Sequence, residues 1–114
     1  MARNRHDDAD LFGVFIYNRL KLKALTLTLG AAMTVDGDSP PVLNLDPGGA
    51  TRVITLPAVE EGLVFFINNI ADAAEDLTIN NPAAATIGTI SQNEMGLAIC
   101  LGGVWYVRLV GTTT

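Results

Sequence analysis

Few residues in this chain have side chains that could do chemistry. A serine or cysteine nucleophile usually needs a histidine base, and the one histidine, His6, lies between Arg5 and Asp7. Its position favours a solvated histidine over a catalytic base. The single cysteine, Cys100, lies in an apolar stretch, where a free thiol usually packs as a small core group, and it excludes an intrachain disulfide. One histidine and one cysteine cannot build a zinc site.

The carboxylates give no stronger indication of chemistry. Asp36 and Asp38 flank a glycine and could offer oxygens to calcium, but the rest of a calcium-loop motif is missing and such acids usually form turns. Glu60 and Glu61 raise the question of an acid–base catalytic pair. However, adjacent residues of a strand point to opposite faces, and adjacent residues of a loop are usually solvated. No glycine-rich phosphate loop opens a helix. The sequence therefore predicts no enzyme, no catalytic residue, no metal and no cofactor.

Two adjacent aromatic residues near the C-terminus suggest a binding role. Alternation along a strand predicts that Trp105, with Val107 and Leu109, faces the core. Tyr106 then faces outward, where an exposed ring could stack on a sugar. Of the two aromatic residues, Tyr106 is therefore the candidate for a carbohydrate contact.

Length and composition indicate the number of domains, the association state and the cellular location to expect. The 114 residues suit one domain, and 49% of them are hydrophobic while 17% are charged. A single domain of this size buries only about two-thirds of its unfolded surface. We therefore predict self-association, because contacts between copies cover apolar surface that a monomer leaves in water. No apolar run reaches the roughly 20 residues that span a bilayer, and no signal peptide is evident, so synthesis in the cytoplasm and no membrane contact are expected.

Charge is divided unevenly along the chain. The net charge of −5 disfavours a nucleic-acid partner, which needs a basic face. Residues 1–23 carry five basic and three acidic side chains, hence +2, whereas residues 24–114 carry two basic and nine acidic ones, hence −7. This contrast predicts an N-terminal arm over 1–23 and a β domain over 24–114 with different partners. A solvated, incidentally basic N-terminus is the alternative.

The arm has apolar residues on one helical face but is also rich in strand formers, so we expect it to be extended or partly helical. Beyond it, alternating apolar residues and turn signals predict seven or eight short strands and no long helix. Leu25, Leu27 and Leu29 are expected on one buried face. We expect an antiparallel pair between 51–56 and 63–68, and a two-residue hairpin turn at Gly102 and Gly103. The predicted strands are 22–29, 42–45, 51–56, 63–68, 76–79, 83–90, 94–101 and 104–110. The fold class is all-β, a small antiparallel barrel or sandwich.

Several of these segments, over about residues 50–110, resemble head decoration (cement) proteins of tailed bacteriophages and related tail-fibre modules. The segments that carry the resemblance are Ile54-Thr-Leu-Pro-Ala58, Gly62 with the strand after it, Leu77-Thr-Ile79, Ile87-Gly88 and Gly103-Val-Trp-Tyr106. The resemblance implies a β-tulip-like or barrel fold, a homotrimer and a structural role in the virion without enzymatic activity.

The predicted function is therefore capsid decoration. A trimer would bind the major capsid protein on the outside of a phage head and stabilise it through many weak contacts. Apolar anchors and basic rim residues of the arm would make the contact. These capsid-binding residues are Arg3, Arg5, Leu11, Phe12, Phe15, Ile16, Tyr17, Arg19, Lys21 and Lys23. The alternative is a receptor- or glycan-binding tail-fibre module that uses the loops 36–41 and 71–75.

Overall fold

The computed structural model describes residues 20–112, and within them the chain forms nine strands and no helix. No helix in this range is therefore available to cross a membrane. The strands form two sheets that pack face to face. Sheet A has the order β1, β3, β5, β8, β9, with strands Ala24–Thr28, Val42–Asp46, Val64–Asn69, Glu94–Leu101 and Val104–Thr112. Sheet B has the order β2, β4, β6, β7, with strands Met33–Thr34, Arg52–Thr55, Leu77–Asn80 and Thr86–Ile90.

The first six strands wind as a solenoid-like coil in which each turn contributes one strand to each sheet. The chain alternates between the sheets at each strand, so β1, β3 and β5 are parallel neighbours in sheet A and β2, β4 and β6 are parallel neighbours in sheet B. In register, Ala24 pairs with Val42, and Val42 pairs with Phe66. Each turn of the coil thus stacks directly on the previous one, in the manner of a short solenoid.

The antiparallel pair expected between 51–56 and 63–68 is wrong. β4 pairs in parallel with β6, while β5 lies in the opposite sheet between β3 and β8. The segment between β4 and β5 therefore crosses between sheets. Both strands bury alternate side chains, such as Ile54 and Phe65, and that alternation is the same for a hairpin and for a crossover.

Antiparallel pairing is confined to the last three strands. β7 pairs with β6, β8 with β5 and β9 with β8, each antiparallel. The hairpin predicted at Gly102 and Gly103 is confirmed, because Leu101 pairs with Val104 across it. The all-β fold class is likewise confirmed; the two sheets are open, so the molecule is a sandwich and not a closed barrel. The sheets are mixed and not antiparallel throughout as predicted, because four of the seven strand pairs are parallel.

The core lies between the sheets and comes from the inward side chains of every turn. Leu43 and Leu45 from β3, Ile67 from β5 and Ile79 from β6 are fully buried. Each such side chain contributes about 1.5 to 3 kcal/mol when removed from water. Cys100 is fully buried among them, as its apolar surroundings predict.

The first strand departs from the predicted burial. Leu29 is buried, but Leu27, which was expected on the same buried face, is 41% exposed. β1 is the edge of sheet A, and the strand that begins sheet B, β2, has only two residues. Because so short a strand covers little, the outer turn of the coil leaves part of its inner face open.

The alternation between sheets gives the sandwich two ends. We call the end where β1, β3 and β5 begin the entry end, and the end where they finish the exit end. The loops 35–41, 56–63 and 81–85 and the hairpin turn lie at the entry end, whereas the loops 47–51 and 70–76 lie at the exit end. The two loops proposed for glycan binding, 36–41 and 71–75, therefore lie at opposite ends and do not form a common site.

Candidate functional site

The C-terminal hairpin is the candidate functional site, and its turn is tightly defined. Gly102 and Gly103 have φ angles of 62° and 75°, which fit a two-residue primed turn and which other residues rarely adopt. The backbone N–H of Gly102 donates to Glu61 Oε1 at 2.7 Å. Glu61 belongs to the loop between β4 and β5, so this hydrogen bond holds the hairpin turn against that loop. Glu61 therefore has a structural role.

Trp105 anchors β9 to the core. Its side chain is 5% exposed, its Nε1–H donates to the carbonyl of Pro57 at 2.9 Å, and its ring centroid lies 6.1 Å from that of Phe65. A buried indole usually finds such a partner for its N–H. The core position predicted for Trp105 is confirmed.

Tyr106 faces the opposite side of sheet A and is 41% exposed, as the alternation predicts. The Arg108 guanidinium carbon lies 5.7 Å from the centre of the Tyr106 ring, within the range of a cation–π contact. One face of the exposed Tyr106 ring is thus in contact with the Arg108 side chain of the same strand.

Leu109 does not belong to the core, and that prediction is wrong. It shares the inward orientation of Trp105 and Val107, yet 53% of it is exposed. Strand alternation specifies which sheet face a side chain leaves, but whether that face is covered depends on the length of the opposite sheet. Here β7 covers Val107, as the close approach of Gly88 shows, and leaves Leu109 open.

The hairpin carries more than half of the large hydrophobic side chains that are exposed within the described residues. Five of the nine large hydrophobic side chains that are exposed within residues 20–112 lie on it. These five are Leu101, Val104, Tyr106, Leu109 and Val110. Leu101, Val104 and Tyr106 lie on the outer face of the hairpin and Leu109 on the inner face, and exposed apolar side chains gathered on one hairpin are typical of an interaction site.

The backbone of β9 adds an unpaired edge to this surface. Among residues 20–112, β9 is the last strand of sheet A and pairs on one side only, with β8. On the other side, the carbonyl of Val107 accepts a hydrogen bond from Arg108 Nη1 at 2.9 Å. We call the outward backbone side of residues 104–109 the β9 edge; open edges of this kind pair readily with another strand.

An apolar pocket of about 360 Å³ lies beside the β9 edge, at the entry end. We call it the flank pocket. Its wall combines the start of β9 with β7, the loop before β7 and the loop between β4 and β5. It is lined by Val59, Asn81, Pro82, Ala83, Ile87, Gly103, Val104 and Trp105. Asn81 is committed to its own loop, since its Oδ1 accepts the N–H groups of Ala83 and Ala85.

Most of the predicted capsid-binding arm lies outside the described residues. Lys21 and Lys23 are described, and both are exposed immediately before β1. The carbonyl of Lys23 accepts the N–H of Val42 and so extends the pairing of β1 with β3. The predicted residues outside the described range are Arg3, Arg5, Leu11, Phe12, Phe15, Ile16, Tyr17 and Arg19, and His6 lies there as well.

A carboxylate cluster at the exit end is not predicted by any motif in the sequence. Asp46, Asp72 and Glu75 can bring one oxygen each within 4.8 Å of the others. They come from the end of β3 and from the loop between β5 and β6, which are far apart in the sequence. The cluster already serves the loops, because Asp46 accepts the N–H of Gly48 and Glu75 accepts that of Gly49. Asp36 is likewise a turn former, since its Oδ1 accepts the N–H of Asp38.

Comparisons with known proteins support the fold alone. No family model and no curated protein matches the chain. A solved structure described as a chaperone–substrate complex is similar, with a TM-score of 0.50 and 21% sequence identity. The similarity covers 75% of this chain and 17% of the matched chain, so the shared unit spans less than a fifth of that longer protein.

Proposed function

We propose that this chain is a structural protein of a virus particle, a decoration protein that binds the outside of a phage head as an assembly of its own copies. The observation that carries the proposal is the exposed apolar surface of the C-terminal hairpin beside the open β9 edge. Such a surface serves contacts between proteins. The resemblance of residues 50–110 to decoration proteins supplies the capsid as the partner and implies a trimer.

The division of the chain supports two kinds of contact. Residues 24–114 carry net charge −7, and their hairpin offers apolar surface for contacts between copies. Residues 1–23 carry +2 and an apolar group that includes Phe12, Phe15 and Ile16, which suits contact with capsid subunits. Linking copies on one rigid body multiplies a weak arm contact through effective concentration.

Sedimentation with purified, undecorated shells tests the capsid contact. We expect the full chain to sediment with shells and a chain lacking residues 1–20 to remain in the supernatant, because the deletion removes the proposed anchors. A matched variant that keeps the length and charge of the arm replaces its apolar anchors with serine, at Leu11, Phe12, Phe15, Ile16 and Tyr17. Undiminished binding by both variants would contradict the proposed role of the arm.

A receptor- or glycan-binding module of a tail fibre is the second candidate. One observation favours it, namely that the fold also occurs as a small part of a much longer chain, as expected of a fibre module. In this case the protein should bind host cells, and binding should survive deletion of residues 1–20 but fall when Tyr106 is replaced by alanine. Shell binding without cell binding would reject this candidate.

A further inference from the structure

We propose that two copies of this chain pair through antiparallel β9 edges, with Val107 on the two-fold axis and Leu109 of each copy at the flank pocket of the other. The inference rests on the self-association in the proposed function and specifies its contact. The backbone, the order of side chains along β9 and the position of the pocket each support it.

The backbone of β9 presents hydrogen-bonding groups on its open side. In a two-residue primed hairpin the residues that flank the turn, Leu101 and Val104, form a hydrogen-bonded pair. Hydrogen-bonded pairs alternate along an antiparallel ladder, so Tyr106 and Arg108 also bond to β8. The N–H and C=O groups of Trp105, Val107 and Leu109 therefore point outward. The contact between Arg108 Nη1 and the Val107 carbonyl agrees with this orientation.

The order of residues along the β9 edge suits antiparallel pairing with a second copy. Antiparallel pairing about Val107 sets Trp105 opposite Leu109 of the partner subunit, and Tyr106 opposite Arg108 of the partner subunit. The outward-pointing residues then exchange their backbone hydrogen bonds with one another. A β-bulge, where the pairing shifts between Met95 and Gly96, ends the regular edge just beyond Leu109.

Side chains on the outer face complement each other in this register. Tyr106 and Arg108 of the partner subunit form a non-hydrogen-bonded pair, the type in which side chains come closest. Within one copy the Arg108 guanidinium already lies 5.7 Å from the Tyr106 ring centre. On pairing, Arg108 gives up its contacts with the Val107 carbonyl and with Tyr106 of its own chain. It then contacts the Tyr106 ring of the partner subunit, so a cation–π contact is kept.

The flank pocket lies where the paired strand would place an apolar side chain. Trp105 lines it, and Leu109 of the partner subunit leaves the paired sheet on the same inward face directly beside Trp105. Leu109 is 53% exposed in the single chain, so it has apolar surface to bury. Between the pocket and the leucine, the Val107 side chain packs inward against β7 at Gly88, away from the edge where the two backbones would meet.

These features favour a second copy over an unrelated strand. A two-fold contact needs one surface to complement itself, with each feature used twice. The β9 edge meets this condition, because its pocket and its leucine are equidistant from Val107 and its tyrosine faces its arginine. A closed trimer, the stoichiometry that the resemblance implies, would need a different, cyclic contact.

The mass of the full chain in solution tests the pair, by sedimentation equilibrium over a range of concentrations. We expect a dimer, and we expect Leu109→Lys to raise its dissociation constant at least about tenfold by placing a charge against Trp105 of the partner subunit. The matched control is Leu27→Lys on the opposite edge of sheet A, where the leucine is 41% exposed. It should change the constant by less than about twofold.

A cross-linking experiment tests the register independently of stability. Tyr106→Cys and Arg108→Cys, each made in a Cys100→Ala background, should form a covalent dimer when mixed under mild oxidation, since non-hydrogen-bonded pairs suit a disulfide. Either variant alone should form much less, because its two cysteines are then diagonal neighbours.

The outcomes separate this inference from the proposed function. A monomer or a closed trimer, equal effects of the two lysine variants, or equal cross-linking in the mixture and the single variants would overturn the pairing. A dimer that ignores viral shells would reject the decoration role and leave the pairing intact. Shell binding by a closed trimer would do the reverse.

Discussion

Asn69 is the fully buried polar residue of the described core, and its side chain joins three segments. Its Nδ2 donates to the carbonyls of Glu75 and Ile90, each at 2.9 Å, and its Oδ1 accepts the N–H of Ala71 at 2.9 Å. The residue thus ties the end of β5 to the following loop and to the end of β7. Burial of polar groups is tolerated when every one of them is paired in this way.

Replacing Asn69 with alanine should therefore lower the free energy of unfolding by about 3 kcal/mol, because two carbonyls and one N–H lose their partners inside the core. Urea denaturation followed by tryptophan fluorescence measures the change.

The matched control for Asn69 is Asn68→Ala, its neighbour on the outer face. Asn68 Nδ2 donates to Asn44 Oδ1 at 2.7 Å, but Asn68 Oδ1 is buried without a partner. Removing the amide loses one bond and relieves one unpaired oxygen, so we expect a cost below about 1 kcal/mol. Equal losses from the two substitutions would contradict the role assigned to Asn69.

At the scale of elements, the contact between β7 and β9 sets how closely the two sheets approach. A Cβ added at Gly88 would lie 2.7 Å from Val107 Cγ1, so the glycine is needed for space. Gly88→Ala should destabilise the fold by about 1 to 3 kcal/mol through overpacking. Thermal unfolding measures this loss.

Gly30→Ala is the control for that contact, since nothing lies within 4 Å of a Cβ at Gly30. A further test adds Val107→Ala, which removes the clashing methyl groups. The double variant should lose less stability than the sum of Gly88→Ala and Val107→Ala, because the two positions are in contact. Simple additivity would show that the clash is relieved elsewhere.

Some features of the strands and turns can be predicted from local sequence patterns, and others cannot. The hairpin turn, the burial of Trp105 and the exposure of Tyr106 follow from local rules, because two glycines fix the turn and alternation fixes the faces. The crossover between β4 and β5 does not, since alternation is identical for partners in one sheet or in two. The exposure of Leu109 and the flank pocket depend on which segments of the opposite sheet lie over β9, and this is a property of the assembled sandwich.

At the scale of the whole molecule, two proposed contacts of different physical character act together. The pairing of β9 edges is mainly apolar and joins two bodies that each carry a net charge of −5. Like charges oppose this association, and salt screens them. The proposed arm contact with capsid joins a basic segment to carboxylates, and salt weakens such attraction.

Opposite responses to salt should therefore distinguish the two contacts. Raising sodium chloride from about 20 mM to about 500 mM shortens the screening length several-fold. We expect the dimer dissociation constant to stay constant or fall, while the amount sedimenting with shells decreases. Sedimentation equilibrium and shell sedimentation in the same buffers measure both, with Leu109→Lys as the variant that removes the first contact alone. Parallel weakening of both contacts would indicate that charge, and not apolar surface, holds the copies together.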